Sequence, residues 1–177
     1  MNSVFLIGYM GAGKTTIGLD LADTLNYEFV DLDWYIEDLC NRCISDIFSQ
    51  EGEARFREIE HEALLQVSEK DNAVIAVGGG TPCFYDNMDI MNHKGISIYL
   101  KASVKTLIEH IHIGSQVRSS NRPLLKGMDD KQMGEFITKN LILREPFYLR
   151  ATHIVPIPTL RGKHDISLIS QKISCLL

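Results

Sequence analysis

Positive charge is the first thing this sequence is short of. Lys and Arg together number 18 against 23 Asp and Glu, a formal net charge of -5. A nucleic-acid binder normally carries a basic face, so no nucleic-acid partner is expected. Long apolar runs are missing too. None approaches the ~20 residues of a membrane span, and no basic segment precedes the apolar N-terminal residues as in a signal peptide. The expectation is a cytoplasmic protein without membrane contact. Cysteine is scarce: Cys40, Cys43, Cys83 and Cys175 make no disulfide framework in a chain of 177 residues. Cys40-Asn41-Arg42-Cys43 matches CxxC but sits within or at the end of a helical stretch, not at a helix start, and no second pair exists for zinc. The six histidines form no ligand constellation. His110 and His112, two apart, fall on different faces of a helix, so no role is assigned to them. An NKxD tetrapeptide for reading guanine, internal repeats and low-complexity segments are also lacking.

What is present is the composition of a globular domain, 45% hydrophobic and 23% charged. At this length one domain, residues 1–177, is expected. Short apolar runs (Val4–Ile7, Phe29–Leu32, Ala73–Val77, Ile96–Leu100, Thr152–Ile157) read as strands. Helical stripes lie between and after them: Ile17/Leu21/Leu25, Phe56/Ile59/Ala63/Val67, Val104/Leu107/Ile108/Ile111, Met133/Phe136/Ile137/Leu141 and Ile166/Ile169/Ile173. Continuously apolar strands alternating with helices imply an α/β fold with a parallel sheet covered on both faces. Ser103 and Asp165 read as helix N-caps and Gly95 as a stop.

The stretch "FLIGYMGAGKTTIG", Phe5 to Gly18, contains GxxxxGK[ST] between a strand and a helix. Glycines bring backbone N–H groups against phosphate oxygens, and the helix from Lys14 adds unpaired donors and the positive end of its dipole. Lys14 then reaches the outer phosphates and the Thr15 hydroxyl suits Mg²⁺. The rival, a tight turn that happens to precede a lysine, lacks a reason for the flanking strand and helix. A bound nucleoside triphosphate follows.

The second strand ends "FVDLD". Asp31 and Asp33 sit where α/β sheets place ligands, and phosphoryl transfer to an alcohol uses one carboxylate for the metal's water and one for the hydroxyl proton. A polar strand terminus with an N-cap at Asp33 is the structural alternative. The third strand ends in Gly78-Gly79-Gly80, a backbone open to close approach. From His112 to Asp130 runs a polar connection carrying Arg118 and Arg122, read as a lid over about residues 112–128. Arg57 has Glu53 and Glu60 four before and three after it, which also describes a solvated ion-pair face. Arg144, before Pro146, could serve a helix C-terminus.

Six motifs in order carry a resemblance: "IGYMGAGKTTIG", "FVDLDWYIED", "GEARFREIE", "GGG", "NRPLL" and "REPFY". Together the chain resembles the shikimate kinase family along nearly its whole length. The resemblance implies an adenylate-kinase-like P-loop fold, three layers α/β/α around a five-stranded parallel sheet. It implies transfer of the ATP γ-phosphate to the 3-hydroxyl of shikimate, in chorismate and aromatic amino-acid synthesis. Carried over by position, it implies that ATP meets Gly11, Ala12, Gly13, Lys14, Thr15 and Thr16, with Arg122 reaching over from the lid and a weaker match at Arg161. Shikimate would meet Asp33, Arg57, Gly79, Gly80 and Arg144. Thr15, and Asp31 through water, would hold Mg²⁺. Lys14, Asp33 and Arg122 would carry the catalysis, in a monomer.

Two departures from the family pattern stand out. Asn41-Arg42-Cys43 replaces a Gly-x-Ser, putting a poor N-cap at Cys43. Thr81-Pro82-Cys83 leaves a thiol near the acceptor pocket. A gluconate-type or nucleoside monophosphate kinase, and a non-catalytic nucleotide-binding module, remain the alternatives.

Overall fold

Strand β1 (Ser3–Ile7) is buried at every position, as Val, Phe, Leu and Ile in sequence require. In the computed structural model, which describes residues 3–117 and 127–177, it lies at the centre of one five-stranded sheet. The other strands are β2 (Glu28–Asp31), β3 (Ala73–Ala76), β4 (Gly95–Ala102) and β5 (His153–Ile157). All pairings are parallel, in the order β2-β3-β1-β4-β5, with Val4 opposite Val74 and Leu6 opposite Ile98. Because β3 is also buried throughout, both faces of the sheet's centre are covered, which is the expected α/β architecture. Each fully buried Ile or Leu of this core contributes about 1.5–3 kcal/mol.

The helices are α1 (Lys14–Leu25), α2 (Leu32–Cys40), α3 (Ile44–Ser68), α4 (Asn87–Lys94), α5 (Val104–Val117), α6 (Asp130–Tyr148) and α7 (Lys163–Ser174). The chain leaves β1 by α1 for β2 at one edge and returns through β3, while β4 lies on the other side of β1. The carboxyl ends of β1 and β3 therefore flank a topological switch point, where such sheets bind ligands.

Some local expectations are corrected. The second strand stops at Asp31, not Leu32, because Asp31 is the N-cap of α2 and its Oδ1 accepts the Asp33 N–H. Asp33 thus lies inside the helix and is not its cap. Helix α4 escaped the periodicity reading. It spans eight residues, and only Met88 and Met91 are apolar and buried. Asp165 is not the cap of α7, which starts at Lys163 after Gly162; its Oδ2 accepts the Arg161 N–H instead. Ser103 caps α5 as expected, its Oγ accepting the Thr106 N–H, and Gly95 ends α4.

The weak cap at Cys43 is compensated. Cys43 makes no side-chain cap bond, but Glu37 Oε1 accepts the Ile44 N–H at 2.9 Å, and Asn41 takes the left-handed backbone (φ 49°) expected of it. Helix α3 also changes course at Gly52 (φ 82°, ψ 173°), so residues before and after it are separate helical pieces.

Candidate active site

Three features make the loop between β1 and α1 a cradle for phosphate. Gly11 and Gly13 have φ of 84° and 91°, conformations closed to most side chains. Gly13 caps α1 without any side-chain bond and no acidic residue occupies the first turn, so the amides and the dipole there keep their attraction for an anion. Lys14 Nζ donates to the carbonyls of Gly8 (2.8 Å) and Tyr9 (3.2 Å), which holds the ammonium against the loop. The Ala12 side chain is wholly buried and its N–H donates to Tyr9 O, so Ala12 shapes the loop from inside.

Opposite the loop stands the aspartate pair. Thr15 Oγ1 donates to Asp31 Oδ2 at 2.9 Å, while the other oxygen of Asp31 holds the start of α2. These are hard oxygen donors, and among the described residues no group of three or more His, Cys, Asp or Glu could hold a metal alone. That fits Mg²⁺, which takes one or two protein oxygens and completes its shell with water and phosphate. Asp33 is different in kind. Burial, reinforced by the charge of Asp31, pushes its carboxyl up to about 6, with Glu60 and Glu37 adding and Lys14 opposing.

On the far side of Asp33 lies a second charged cluster. Arg57 Nη1 donates to Glu60 Oε2 at 2.7 Å, and its Nε and Nη2 donate to Glu53 Oε1 at 3.3 and 3.1 Å. The guanidinium stacks on Phe84, 4.2 Å from the ring centre. Glu60 is buried and its other oxygen accepts from Thr81 Oγ1 at 2.6 Å. The glycine triplet makes this possible. A Cβ at Gly78 would stand 2.9 Å from Glu60 Oε1 and 3.1 Å from Asp33 Oδ1. Arg144, from α6, lies over the Tyr9 ring at 5.6 Å and approaches Gly79, whose carbonyl accepts from Tyr148 Oη. Burial holds the Tyr148 hydroxyl well above its ordinary value, so it remains a donor.

A cleft of about 680 Å³ joins these parts. It is lined by Gly11, Gly13, Lys14, Thr15 and Thr16 of the loop and α1, by Asp31, Asp33, Gly78 and Gly79, and by Arg161 and Gly162. Beyond that lining, Arg57 crowds Gly80, next to the two glycines of the triplet that face the cleft, and Arg144 approaches Gly79, one of those two. Arg118 and Arg122 lie outside the described residues. Sequence reasoning marked Gly78 as backbone open to close approach, which the crowding around it bears out, but it missed the supporting roles of Thr81 and Tyr148 and gave His110 none. His110 lines the same cleft and bonds both Gly11 O and Leu160 N, each at 2.8 Å. No local signal announces that bridge.

A phosphate cradle at a switch point, facing a half-buried carboxyl and an arginine cluster, defines a P-loop kinase acting on a small molecule. The comparisons with known proteins agree. Residues 10–173 match the family model described as shikimate kinase. A shikimate kinase from Bacteroides thetaiotaomicron is 42% identical over 177 residues, covering 100% of this chain and 99% of the relative. A crystal structure of shikimate kinase from that organism superposes with a TM-score of 0.92 at 40% identity, covering 99% of this chain and 97% of the other. A shikimate kinase from Acinetobacter baumannii in complex with shikimate gives a TM-score of 0.83 at 33% identity, covering 99% and 92%. The chain belongs to the shikimate kinase family and is an ATP-dependent kinase.

Proposed function

We propose that this chain transfers the γ-phosphoryl group of ATP to the 3-hydroxyl of shikimate, giving shikimate 3-phosphate and ADP. The observation that carries the reading is the position of Asp33. It is a half-buried, largely desolvated carboxyl that feels the P-loop lysine, Asp31 and Glu60, the partner of Arg57. A carboxylate pushed up to about 6 is a stronger base than an exposed one and is still ionised at neutral pH.

In this reading the nucleotide lies along the cleft with its phosphates on the Gly11–Thr16 amides and Lys14, and its base towards Arg161. Shikimate lies across the glycine triplet. Arg57 and Arg144 supply the forked donors that a planar carboxylate needs, and Gly79 and Gly80 supply backbone contacts. Asp33 takes the proton of the 3-hydroxyl as its oxygen attacks the γ-phosphorus and the bond to the β-phosphate oxygen breaks. Lys14, and Arg122 from the lid, offset charge on the oxygens in flight. Mg²⁺, when bound at Thr15 and through water at Asp31, neutralises charge on the β- and γ-phosphates. One chain carries every residue named, so a monomer suffices. No helix among the described residues is long and apolar enough to cross a membrane, and the reading puts the reaction in the cytoplasm with the ATP pool.

An ADP-release assay with shikimate, quinate, gluconate and AMP as acceptors tests the proposal. Turnover with shikimate far above the rest is expected. Turnover with AMP or gluconate and not shikimate would replace the acceptor, and none with any would leave a non-catalytic module.

A further inference from the structure

His110 hydrogen-bonds both the phosphate loop and the segment that leads into Arg161 and Gly162, all of which line the nucleotide cleft. Its Nε2 accepts the Leu160 N–H at 2.8 Å, and its Nδ1 lies 2.8 Å from the Gly11 carbonyl. The chemistry of the partners settles the proton's place. An amide N–H can only donate, so Nε2 must be the bare nitrogen; a carbonyl can only accept, so Nδ1 must carry the hydrogen. One neutral tautomer alone satisfies both. Gly11 belongs to the P-loop, and Leu160, which lies 3.2 Å from where a Cβ on Gly13 would stand, precedes Arg161 and Gly162, which also line the cleft. Two further contacts run along the same seam. Thr159 Oγ1 donates to Glu109 Oε2 at 2.6 Å, and a Cβ on Gly11 would stand 3.1 Å from the Leu107 carbonyl, so α5 is pressed against the loop at this point.

We propose that His110 is a positioning residue for the nucleotide: its neutral, Nδ1-protonated imidazole holds the phosphate loop and the Leu160–Gly162 wall at the spacing that ATP and ADP require. The proposal rests on the reading that the nucleotide occupies this cleft. Protonation of Nε2 would turn an acceptor into a donor facing an N–H, so acid must loosen the clamp. The charged groups about it are Lys14 and Arg161, which line the cleft, and Glu109, which has Lys105 Nζ at 4.0 Å. Asp165 is engaged by the Arg161 N–H, and His112 by Asp130. None of these contacts supplies a second acceptor for the Leu160 N–H.

The test is MgADP affinity by titration calorimetry on the full chain, for the wild type, His110→Ala and His110→Gln, at pH 8 and pH 5.5. At pH 8 the Ala variant should bind about tenfold more weakly, as two lost hydrogen bonds imply, with kcat at saturating ATP within about twofold. Glutamine keeps an acceptor near Nε2 and does not titrate, so it should recover much of the affinity. Its loss on going to pH 5.5 should be several-fold smaller than the wild type's. That comparison cancels the titration of Asp33 and of the nucleotide, which both proteins share. It also stands if the Ala variant does not fold. Equal affinity in the Ala variant, or parallel acid losses in wild type and Gln variant, would overturn the inference. Absence of MgADP binding in the wild type would instead bring down the nucleotide reading on which it rests.

Discussion

The guanidinium of Arg57 occupies the space that a side chain on Gly80 would fill. A Cβ there would stand 2.5 Å from Nη2, 2.6 Å from Nη1 and 2.8 Å from Cζ. The backbone of Gly80 is ordinary (φ -89°, ψ -26°), so alanine is sterically forbidden by the arginine and not by its own dihedrals. Arg57 cannot step aside cheaply, being buried, stacked on Phe84 and bonded to Glu60. Gly80→Ala should therefore raise the KM for shikimate tenfold or more and change the KM for ATP less than twofold. Steady-state kinetics with each substrate varied decides it.

The two glutamates on Arg57 should answer mutation in opposite ways. Glu60 is 1% exposed, and removing it leaves the buried guanidinium with only the exposed Glu53 and the buried Thr81 hydroxyl without its acceptor, at a cost of about 3–5 kcal/mol. Glu53 is 59% exposed and takes the Nε and Nη2 donors that an incoming carboxylate would need. Glu53→Gln weakens that competition without losing the side chain, so the KM for shikimate should fall about two- to fivefold with kcat unchanged. Glu60→Ala should appear as a lower melting temperature. A rise in KM for Glu53→Gln would mean that Glu53 aims Arg57 and does not compete for it.

Asp33 sets both the acid limb of activity and a stability cost. Its carboxyl is pushed up to about 6, so kcat/KM for shikimate should fall tenfold per pH unit below that value. The sign for stability runs the other way. An acid raised from 3.8 to about 6 binds its proton more tightly in the folded state, so stability falls as pH rises through that interval. Above it the ionised group costs on the order of 3 kcal/mol. Asp33→Asn removes that charge. It should lose ~10²–10⁴-fold in turnover yet melt several degrees higher at pH 8, with the gain gone by about pH 4. Scanning calorimetry at the two pH values checks the sign.

What could be read from the sequence is what is local in it. The phosphate loop, the Asp31–Asp33 pair and the glycine triplet each carry their chemistry within a few residues, and the strands announce themselves by short apolar runs, which are buried throughout in β1 and β3. For Arg57, spacing could not choose between an ion-pair face and a ligand clamp. The structure shows paired glutamates around a buried guanidinium, because Gly80 removes the side chain that would have kept it in solvent. The unread part is long-range. Glu60 meets Thr81 across 21 positions and His110 meets Gly11 across 99, and no periodicity encodes such meetings. Helix α4 failed for another reason, too few apolar residues to register a stripe.

Cys83 gives a chemical handle on the acceptor side. Burial pushes its thiol up, with Arg144 and Arg57 pulling the other way and too weakly to prevail. Cys43 and Cys175 are exposed. Iodoacetamide at pH 7.5 should therefore modify the two exposed cysteines first, with activity retained, and Cys83 more slowly. Inactivation should track Cys83 alone, because an added carboxamidomethyl group beside the two arginines blocks the carboxylate's approach. Its rate should climb with pH beyond pH 9, as the thiolate becomes available, and fall when shikimate is present. Mass spectrometry of partly inactivated samples connects site to activity. Full turnover in material carrying the label at Cys83 would separate that thiol from the acceptor's path.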